Sequence, residues 1–304
     1  MYASLPFNFL GIDENSSFDE ADVVIVPVPY DATTTYKAGT REGPLAIINA
    51  SRQVELYDME FETEIYKKVG IHTMNELLPN MAGPKEQIKD VKQAVLNVVE
   101  GNKFPVMIGG EHSITLGAVQ ALRERYPDIT VLQLDAHTDL RDTYEETKYS
   151  HACVMRRIYD EGISFAQLGV RNSSAEEAAF IKEKNIFSVS APQYKFGYYG
   201  VEDIVDALGD TVYITIDMDV FDPSEVPAVG TPEPGGITWY ELLRIIDEIT
   251  FHKKVVGFDV VELAPISGNP ASDFFAAKLI YKLIGYCFRD KIRGYTGPEI
   301  EIIE

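Results

Sequence analysis

The sequence predicts a three-layer α/β/α domain built around a parallel sheet of about eight strands. Short apolar runs rich in β-branched residues alternate with longer segments of helical apolar spacing, nearly from end to end of the 304 residues. The short runs are continuously apolar rather than alternating, as expected for strands that helices cover on both faces. A chain of this length can bury one large core, so we expect a single domain.

Eight apolar runs are the candidate strands, and the segments between them carry the helical patterns. The predicted strands are 23–28, 69–72, 105–108, 130–134, 165–169, 186–189, 212–216 and 256–261. The clearest predicted helices are 86–100, 114–126, 175–184, 240–251 and 272–289. Hydroxyl residues before carboxylates, as in Ser174 with Glu177 and Thr238 with Glu241, mark two helix starts. Within the domain 1–304 we expect an N-terminal arm (1–21), a catalytic core (22–293) and a short acidic tail (294–304) that frays or contacts a neighbouring subunit.

Composition excludes several classes of function. The net charge of −21 argues against nucleic-acid binding, because no basic footprint is present to neutralise phosphates. The acidic surface either attracts a cationic substrate or only maintains solubility. No apolar run approaches the ~18 residues that span a bilayer, so no membrane association is expected. The first basic side chain is Lys37 and the cysteines are only Cys153 and Cys287, which favours a cytoplasmic protein without disulfides.

Polar side chains follow four of the predicted strands at the point where each strand ends. The segments are Gly-Gly-Glu-His-Ser at 109–113, Asp-Ala-His-Thr-Asp at 135–139, Asp-Met-Asp-Val-Phe-Asp-Pro at 217–223 and Glu-Leu-Ala-Pro at 262–265. In doubly wound sheets, binding sites form at these carboxyl ends. Unpaired buried charges cost several kcal/mol, so this concentration of charge indicates a functional centre.

The spacing of these polar residues indicates a metal centre. Asp135, His137 and Asp139 lie at i, i+2 and i+4, so an extended backbone would turn them the same way, and Asp217 and Asp219 repeat the spacing. Together with His112 they supply four carboxylates and two imidazoles. This set exceeds the needs of one tetrahedral zinc and contains no thiolate. Oxygen-rich ligand sets suit manganese, and bridging carboxylates can hold two ions ~3.5–4 Å apart.

The motifs resemble the three signatures of the ureohydrolases, the arginase and agmatinase superfamily. The segments 28–31, 39–44, 230–236 and 259–265 are also similar to agmatinases, and the resemblance covers roughly residues 22–290. Three positions depart from the family pattern: Glu111 stands where many relatives have Asp, Ile48 where Arg is common and Ala228 where Gly is common. None of the three removes a predicted metal ligand.

The resemblance implies an arginase-like fold with two Mn²⁺ ions per subunit and a set of residue roles. One ion would be held by His112, Asp135, Asp139 and Asp217, and the other by Asp135, His137, Asp217 and Asp219. Asp222 would support the loop. Glu262 would bind the substrate guanidinium, Thr231 would line the same pocket, Asp139 would pass a proton to the leaving nitrogen and His151 would shuttle protons. Relatives form trimers or hexamers, so a homo-oligomer is implied.

These roles predict an enzyme that cleaves a small cationic guanidino substrate to urea and an amine. Agmatine, which would give putrescine, is expected over arginine, because the loop 140–150 carries Asp142, Glu145 and Glu146 and no Asn. Arginases use Asn and Ser side chains there to bind the α-carboxylate. Aminopropylagmatine ureohydrolase, guanidinobutyrase and arginase remain alternatives within the family. Outside it, the alternatives are a single-zinc, deacetylase-like hydrolase and a non-catalytic homologue.

Overall fold

The computed structural model describes residues 5–12 and 16–294 and contains one large parallel sheet. The strands are β1 Val23–Val28, β2 Tyr57–Asp58, β3 Thr63–Glu64, β4 Ile71–Thr73, β5 Phe104–Gly109, β6 Thr130–Leu134, β7 Ser164–Val170, β8 Phe187–Ser190, β9 Thr211–Asp217 and β10 Lys254–Val261. Strands β2 and β3 form a separate antiparallel hairpin. The other eight pair in parallel in the order β4-β1-β5-β10-β9-β6-β7-β8. All eight predicted strands are therefore present in one sheet, and the predicted fold class is confirmed.

Ten α-helices accompany the sheet in the described part of the chain. They are α1 Gly43–Ser51, α2 Pro84–Glu100, α3 Thr115–Arg125, α4 Val154–Asp160, α5 Ala175–Lys184, α6 Ala191–Lys195, α7 Val201–Ala207, α8 Trp239–His252, α9 Ala271–Cys287 and α10 Arg289–Arg293. The five helices predicted from apolar spacing are all present. The apolar pattern did not reveal the other five helices, which are α1, α4, α6, α7 and α10. Each has nine residues or fewer, which is too short to show a clear helical period.

Helices cover both faces of the sheet, which explains the continuous apolar runs. On β1, Val23 and Ile25 face one hydrophobic core, whereas Val24 and Val26 face the other. The first core includes residues of α1, α7, α8 and α9, and the second includes residues of α2, α3 and α4. A strand with a buried side chain at every position must lie between two such layers.

The strand order places the polar segments side by side. Strands β5, β10, β9 and β6 are consecutive neighbours at the middle of the sheet, and β1 lies beside β5. Because they are parallel, their carboxyl ends meet at one edge and bring the segments 109–113, 262–265, 217–223 and 135–139 together. No helix in the described ranges is long and apolar enough to cross a membrane. The predicted acidic tail lies outside those ranges, apart from Gly294.

Candidate metal centre

A buried imidazole lies among three carboxylates at the end of β5. His112 Nδ1 is 3.1 Å from Asp135 Oδ2, 3.2 Å from Asp139 Oδ2 and 3.4 Å from Asp217 Oδ2. Its other ring nitrogen, Nε2, is 2.8 Å from Thr215 Oγ1. Within the described residues, Nδ1 is a buried polar atom that lacks a hydrogen-bond partner. An orphaned nitrogen that faces three carboxylate oxygens fits a bound cation, because a cation would join all four atoms.

A second cluster lies next to the first and shares one of its members. His137 Nδ1 is 2.9 Å from Asp219 Oδ2 and 3.6 Å from Asp135 Oδ1. Ligand atoms of His112, Asp135 and Asp139 lie within 4.8 Å of one another, and so do those of Asp135, His137 and Asp219. Five of the six residues singled out from the sequence therefore form two adjacent groups that share Asp135. The sixth, Asp217, lies beside the first group, with Oδ2 3.4 Å from His112 Nδ1.

The negative charges of the two ligand groups repel one another, and a bound cation would offset this repulsion. Burial, reinforced by the charges of Asp219 and Asp135, raises the pKa of Asp217 well above its ordinary value. Burial and the charge of Asp135 raise the pKa of Asp139 to about 7. Burial disfavours a charged His112, yet the adjacent carboxylates of Asp135, Asp139 and Asp217 hold its pKa well above the ordinary value. Divalent cations at the two groups would offset the repulsion and keep the carboxylates ionised.

Neighbouring amides orient the shared and flanking carboxylates. Asp135 accepts hydrogen bonds from Gln133 Nε2 at 2.7 Å and from the backbone N–H of His137 at 2.5 Å. Asp217 Oδ1 accepts from the backbone N–H of Asp219 at 2.8 Å, and Asp219 Oδ1 accepts from that of Ala136 at 3.1 Å. Such bonds fix which oxygens remain free to bind a cation.

The geometry of the segment after β6 differs from the predicted extended backbone. Strand β6 ends at Leu134, and Asp139 adopts a left-handed conformation with φ of 51°. Asp139 therefore reaches the His112 group through a turn, whereas His137 faces Asp219. The prediction that these residues converge holds, but alternation along a strand is not the reason.

A cleft of about 200 Å³ opens onto the two clusters. His151, Thr231 and Glu262, the three further residues implied by the family resemblance, all line it. Glu262 Oε1 accepts a hydrogen bond from the backbone N–H of His112 at 2.6 Å, and Thr231 Oγ1 donates to Asp219 Oδ2 at 3.4 Å. Burial raises the pKa of Glu262 well above its ordinary range, and the charge of Glu111 adds to that effect. A cationic group in the cleft would stabilise the ionised carboxylate of Glu262.

The sequence did not reveal several residues around the cleft. Tyr36, Arg141, Tyr144 and Asn172 line it. Arg171 donates hydrogen bonds to carbonyl oxygens of the loop after β9, among them Asp219 at 2.6 Å and Glu233 at 2.7 Å. A charged residue directly after the buried strand β7 was a signal that could have identified Arg171. Asp222 lies outside the two clusters and accepts hydrogen bonds from Ser224 and Gly235.

The acidic residues of loop 140–150, from which a preference for agmatine over arginine was predicted, lie outside the cleft. Asp142 is paired with Arg157 at 2.7 Å and with Lys148 at 3.6 Å. Glu145 and Glu146 are exposed at the tip of a turn that mutual backbone hydrogen bonds between Tyr144 and Thr147 close. None of the three acidic residues lines the cleft. The turn directs them to solvent, and Arg141 and Tyr144 contribute to the cleft wall instead.

Comparisons with known proteins are consistent with this geometry. The sequence model described as the arginase family matches residues 21–285. An N(1)-aminopropylagmatine ureohydrolase from Synechocystis is 41% identical over 94% of this chain and 95% of the relative. An agmatinase from Pyrococcus horikoshii is 35% identical over 89% and 93%, respectively. The crystal structure of the agmatine ureohydrolase of Thermoplasma volcanium is 31% identical and superposes with a TM-score of 0.84, covering 94% of this chain and 95% of that one.

Proposed function

This chain belongs to the arginase family of ureohydrolases, and we propose that it hydrolyses a guanidino amine to urea and the free amine with two manganese ions per subunit. The observation that carries this proposal is the pair of ligand groups that share Asp135, with the buried carboxylate of Glu262 in the same cleft. A single-zinc hydrolase would have no use for the His112 group. A non-catalytic homologue would not need the complete set of ligands.

The proposed reaction breaks one guanidinium C–N bond and forms a C–O bond to water. When bound, two divalent ions at these clusters would acidify a shared water and supply a hydroxide nucleophile at neutral pH. The set of carboxylates and imidazoles without thiolate favours manganese over a soft metal. One proton of the attacking water passes to the leaving nitrogen as the C–N bond breaks. The second water proton is lost from the hydroxyl of the adduct when the C=O of urea forms, and it converts the released amine to its ammonium ion, so that the positive charge of the guanidinium is conserved.

Glu262 is proposed to hold the guanidinium in place. Its backbone has a positive φ of 64° directly after β10, and Oε1 is anchored by the backbone N–H of His112. A planar guanidinium can donate two parallel hydrogen bonds to a carboxylate, which orients its carbon toward the ligand groups. Positioning of this kind removes much of the entropic barrier to attack.

Asp139 and His151 are proposed to move the protons. Asp139 Oδ2 lies in the His112 group, where it can accept a proton from the attacking water and pass it to the leaving nitrogen. Burial, reinforced by the charges of His112 and His137, lowers the pKa of His151 to about 4, so its imidazole is neutral and able to accept a proton at neutral pH. His151 would then connect the cleft to bulk solvent.

Two guanidino amines are proposed as substrates. Agmatine fits a cleft whose wall includes hydroxyl and amide groups from Thr34, Thr35, Asn172 and Ser174. Arg141 also lies in that wall, but its side chain packs over the ring of Tyr144 at 5.0 Å and lies 3.8 Å from Glu177. N(1)-aminopropylagmatine is the second candidate. The higher identity of the relative with that name favours it as the preferred substrate.

The test is urea release from N(1)-aminopropylagmatine, agmatine and L-arginine under identical Mn²⁺ loading. We expect both amines to exceed arginine in kcat/KM by ~10²-fold or more, with the longer amine equal to or better than agmatine. Equal values for arginine and the amines would exclude the amine specificity and leave the family assignment intact. Agmatine turnover without aminopropylagmatine turnover would assign agmatine alone.

We further propose that the chain acts as one catalytic domain within a cytoplasmic homo-oligomer. Aromatic side chains on the surface support the assembly: Phe196, Tyr198 and Tyr240 are each at least 74% exposed. Exposed aromatic rings of this kind are typical of subunit interfaces. Sedimentation equilibrium of the Mn²⁺-loaded protein distinguishes a trimer or hexamer from a monomer.

A further inference from the structure

Glu111, the residue that departs from the usual Asp of the family pattern, is a fully buried carboxylate that the proposed reaction does not use. Its Oε2 accepts hydrogen bonds from the backbone N–H groups of Ala32 and Thr33 at 2.7 and 2.6 Å. Its Oε1 accepts from the hydroxyls of Thr33 and Ser113. Four donors therefore converge on this side chain, which is the environment of an ionised carboxylate acting only as an acceptor.

The hydroxyl of Thr33 connects this carboxylate to His151. Thr33 Oγ1 donates to Glu111 Oε1 at 2.8 Å. The same oxygen accepts the backbone N–H of His151 at 3.0 Å and lies 3.2 Å from His151 Nδ1. A hydroxyl has one proton and two lone pairs. Because its proton is committed to Glu111, the contact with Nδ1 requires that Nδ1 carry a proton and donate it.

We propose that Glu111 acts through Thr33 as a positioning residue that holds His151 as its Nδ1–H tautomer, with the lone pair of Nε2 directed into the cleft as the proton acceptor. The tautomer of a histidine is set by the hydrogen bond that its other nitrogen makes. No hydrogen bond joins Nε2 to another residue in the described ranges, and the ring lines the cleft. This inference rests on the proton-shuttle role proposed for His151.

Two neighbouring groups agree with this assignment. Ser150 Oγ lies 3.2 Å from His151 Nδ1 and can share the Nδ1 proton as a second acceptor. The ring of Tyr144 packs edge-on against His151 at 5.8 Å between centroids, which limits rotation of the imidazole. The ring therefore keeps one orientation, and Glu111 and Thr33 determine which of its nitrogens is basic.

The decisive variant is Glu111→Gln, which preserves size but reverses the two hydrogen bonds that Oε1 accepts from the hydroxyls of Thr33 and Ser113. The two backbone N–H groups require the amide oxygen at the position of Oε2, so the amide NH₂ faces the Thr33 hydroxyl. Thr33 must then accept from the amide and donate to Nδ1, and this moves the proton of His151 to Nε2. Long-range ¹H–¹⁵N correlation spectra of histidine-labelled, Zn²⁺-loaded protein distinguish the two tautomers. With five histidines in the chain, His151→Asn assigns the signal.

Glu177→Gln is the matched control. Glu177 is also a buried carboxylate beside the cleft, and it accepts from the Thr138 hydroxyl and the Leu140 amide rather than from a group that contacts His151. We expect the Nδ1–H tautomer in the wild type and in Glu177→Gln, and the Nε2–H tautomer in Glu111→Gln. An Nδ1–H tautomer in Glu111→Gln, or an Nε2–H tautomer in the wild type, would overturn the proposal.

Kinetics of the Mn²⁺-loaded enzyme provide the second readout. Thr33→Val should lower kcat roughly tenfold with KM and bound metal unchanged, and Thr33→Ser should restore kcat. Adding Thr33→Val to His151→Asn should cause no further loss, because both changes remove the same function. Additive losses would show that Thr33 only braces the loop and would refute the relay. The tautomer measurement needs no substrate, so a wild type that releases no urea would reject the proposed function separately from this inference.

Discussion

Replacing Glu262 with Gln tests whether this residue positions the substrate rather than the metal ions. The substitution preserves the size of the side chain and removes its charge. Oε1 of Glu262 is committed to the backbone N–H of His112 at 2.6 Å, and that buried donor must keep an acceptor. The amide oxygen of the new Gln therefore faces His112, and its NH₂ group faces the cleft, where it opposes the N–H donors of the guanidinium.

The expected loss follows from this arrangement. A hydrogen bond to a charged group is worth about 1.5–3 kcal/mol, and 1.4 kcal/mol is a factor of ten. Removing that bond predicts a decrease of roughly 10- to 150-fold in kcat/KM. Glu262 belongs to neither ligand group, so the bound metal should not change.

The assay is steady-state urea release, combined with elemental analysis of the same preparations. Glu145→Gln is the matched control, because Glu145 is exposed outside the cleft and should retain wild-type kinetics. Wild-type kcat/KM in Glu262→Gln would refute the guanidinium-binding role. Loss of metal from this variant would show instead that Glu262 supports the metal centre.

Three further predictions concern the metal centre and His151, the proposed proton shuttle. Asp217→Ala should lose most bound metal and activity, since Asp217 would bridge both ions; full activity with one ion or none by elemental analysis would contradict the two-ion mechanism. His151→Asn should retain measurable turnover, with kcat reduced by no more than ~10²-fold in stopped urea assays, because water can replace a shuttle; a variant as inactive as Asp217→Ala would place His151 in the chemical step. Folding holds the pKa of His151 at about 4, below its ordinary 6.5, so the unfolded chain binds the proton first and stability falls as pH drops from about 6.5 to about 4. His151→Asn should reduce this loss by up to about 3 kcal/mol in denaturant titrations of the metal-free protein at these pH values, and an unchanged pH dependence would contradict the burial of a neutral His151.

The sheet and the ligand groups could be predicted because both depend on local sequence. A buried strand between two helical layers must be apolar at every position, so β1 and β6 were located to the residue. Charged residues directly after such strands must lie at one edge of a parallel sheet, which brought Asp135 and Asp217 together in the prediction. Neither inference required knowledge of loop structure.

Long-range hydrogen bonding could not be predicted in the same way. The contact between Thr33 and His151 joins residues 118 positions apart, and that between Thr33 and Glu111 joins residues 78 apart. The contact with Glu111 depends on β1 and β5 being neighbours, which the order of the strands along the chain does not dictate. Which side chains of loop 140–150 reach the cleft could not be predicted either, because that depends on local turn geometry rather than on composition. Its composition is acidic, but the turn from Tyr144 to Thr147 determines which side chains face the cleft.

Backbone strain at the site connects these observations. Asp139 and Glu262 are non-glycine residues with φ of 51° and 64°, a conformation that costs of order 1–3 kcal/mol at each residue. The surrounding structure holds both in place. The backbone carbonyl of Asp139 accepts the N–H groups of Met155 and Arg156 in the first turn of α4, and the N–H of Glu262 donates to Gly110 at 2.8 Å. The left-handed backbone at each residue directs its carboxylate into the cleft. A regular continuation of the preceding strand would point the side chain in another direction. Asp139, proposed to transfer the proton, and Glu262, proposed to bind the guanidinium, are thus oriented before any substrate enters. The free energy needed to orient them is supplied during folding rather than in each catalytic cycle.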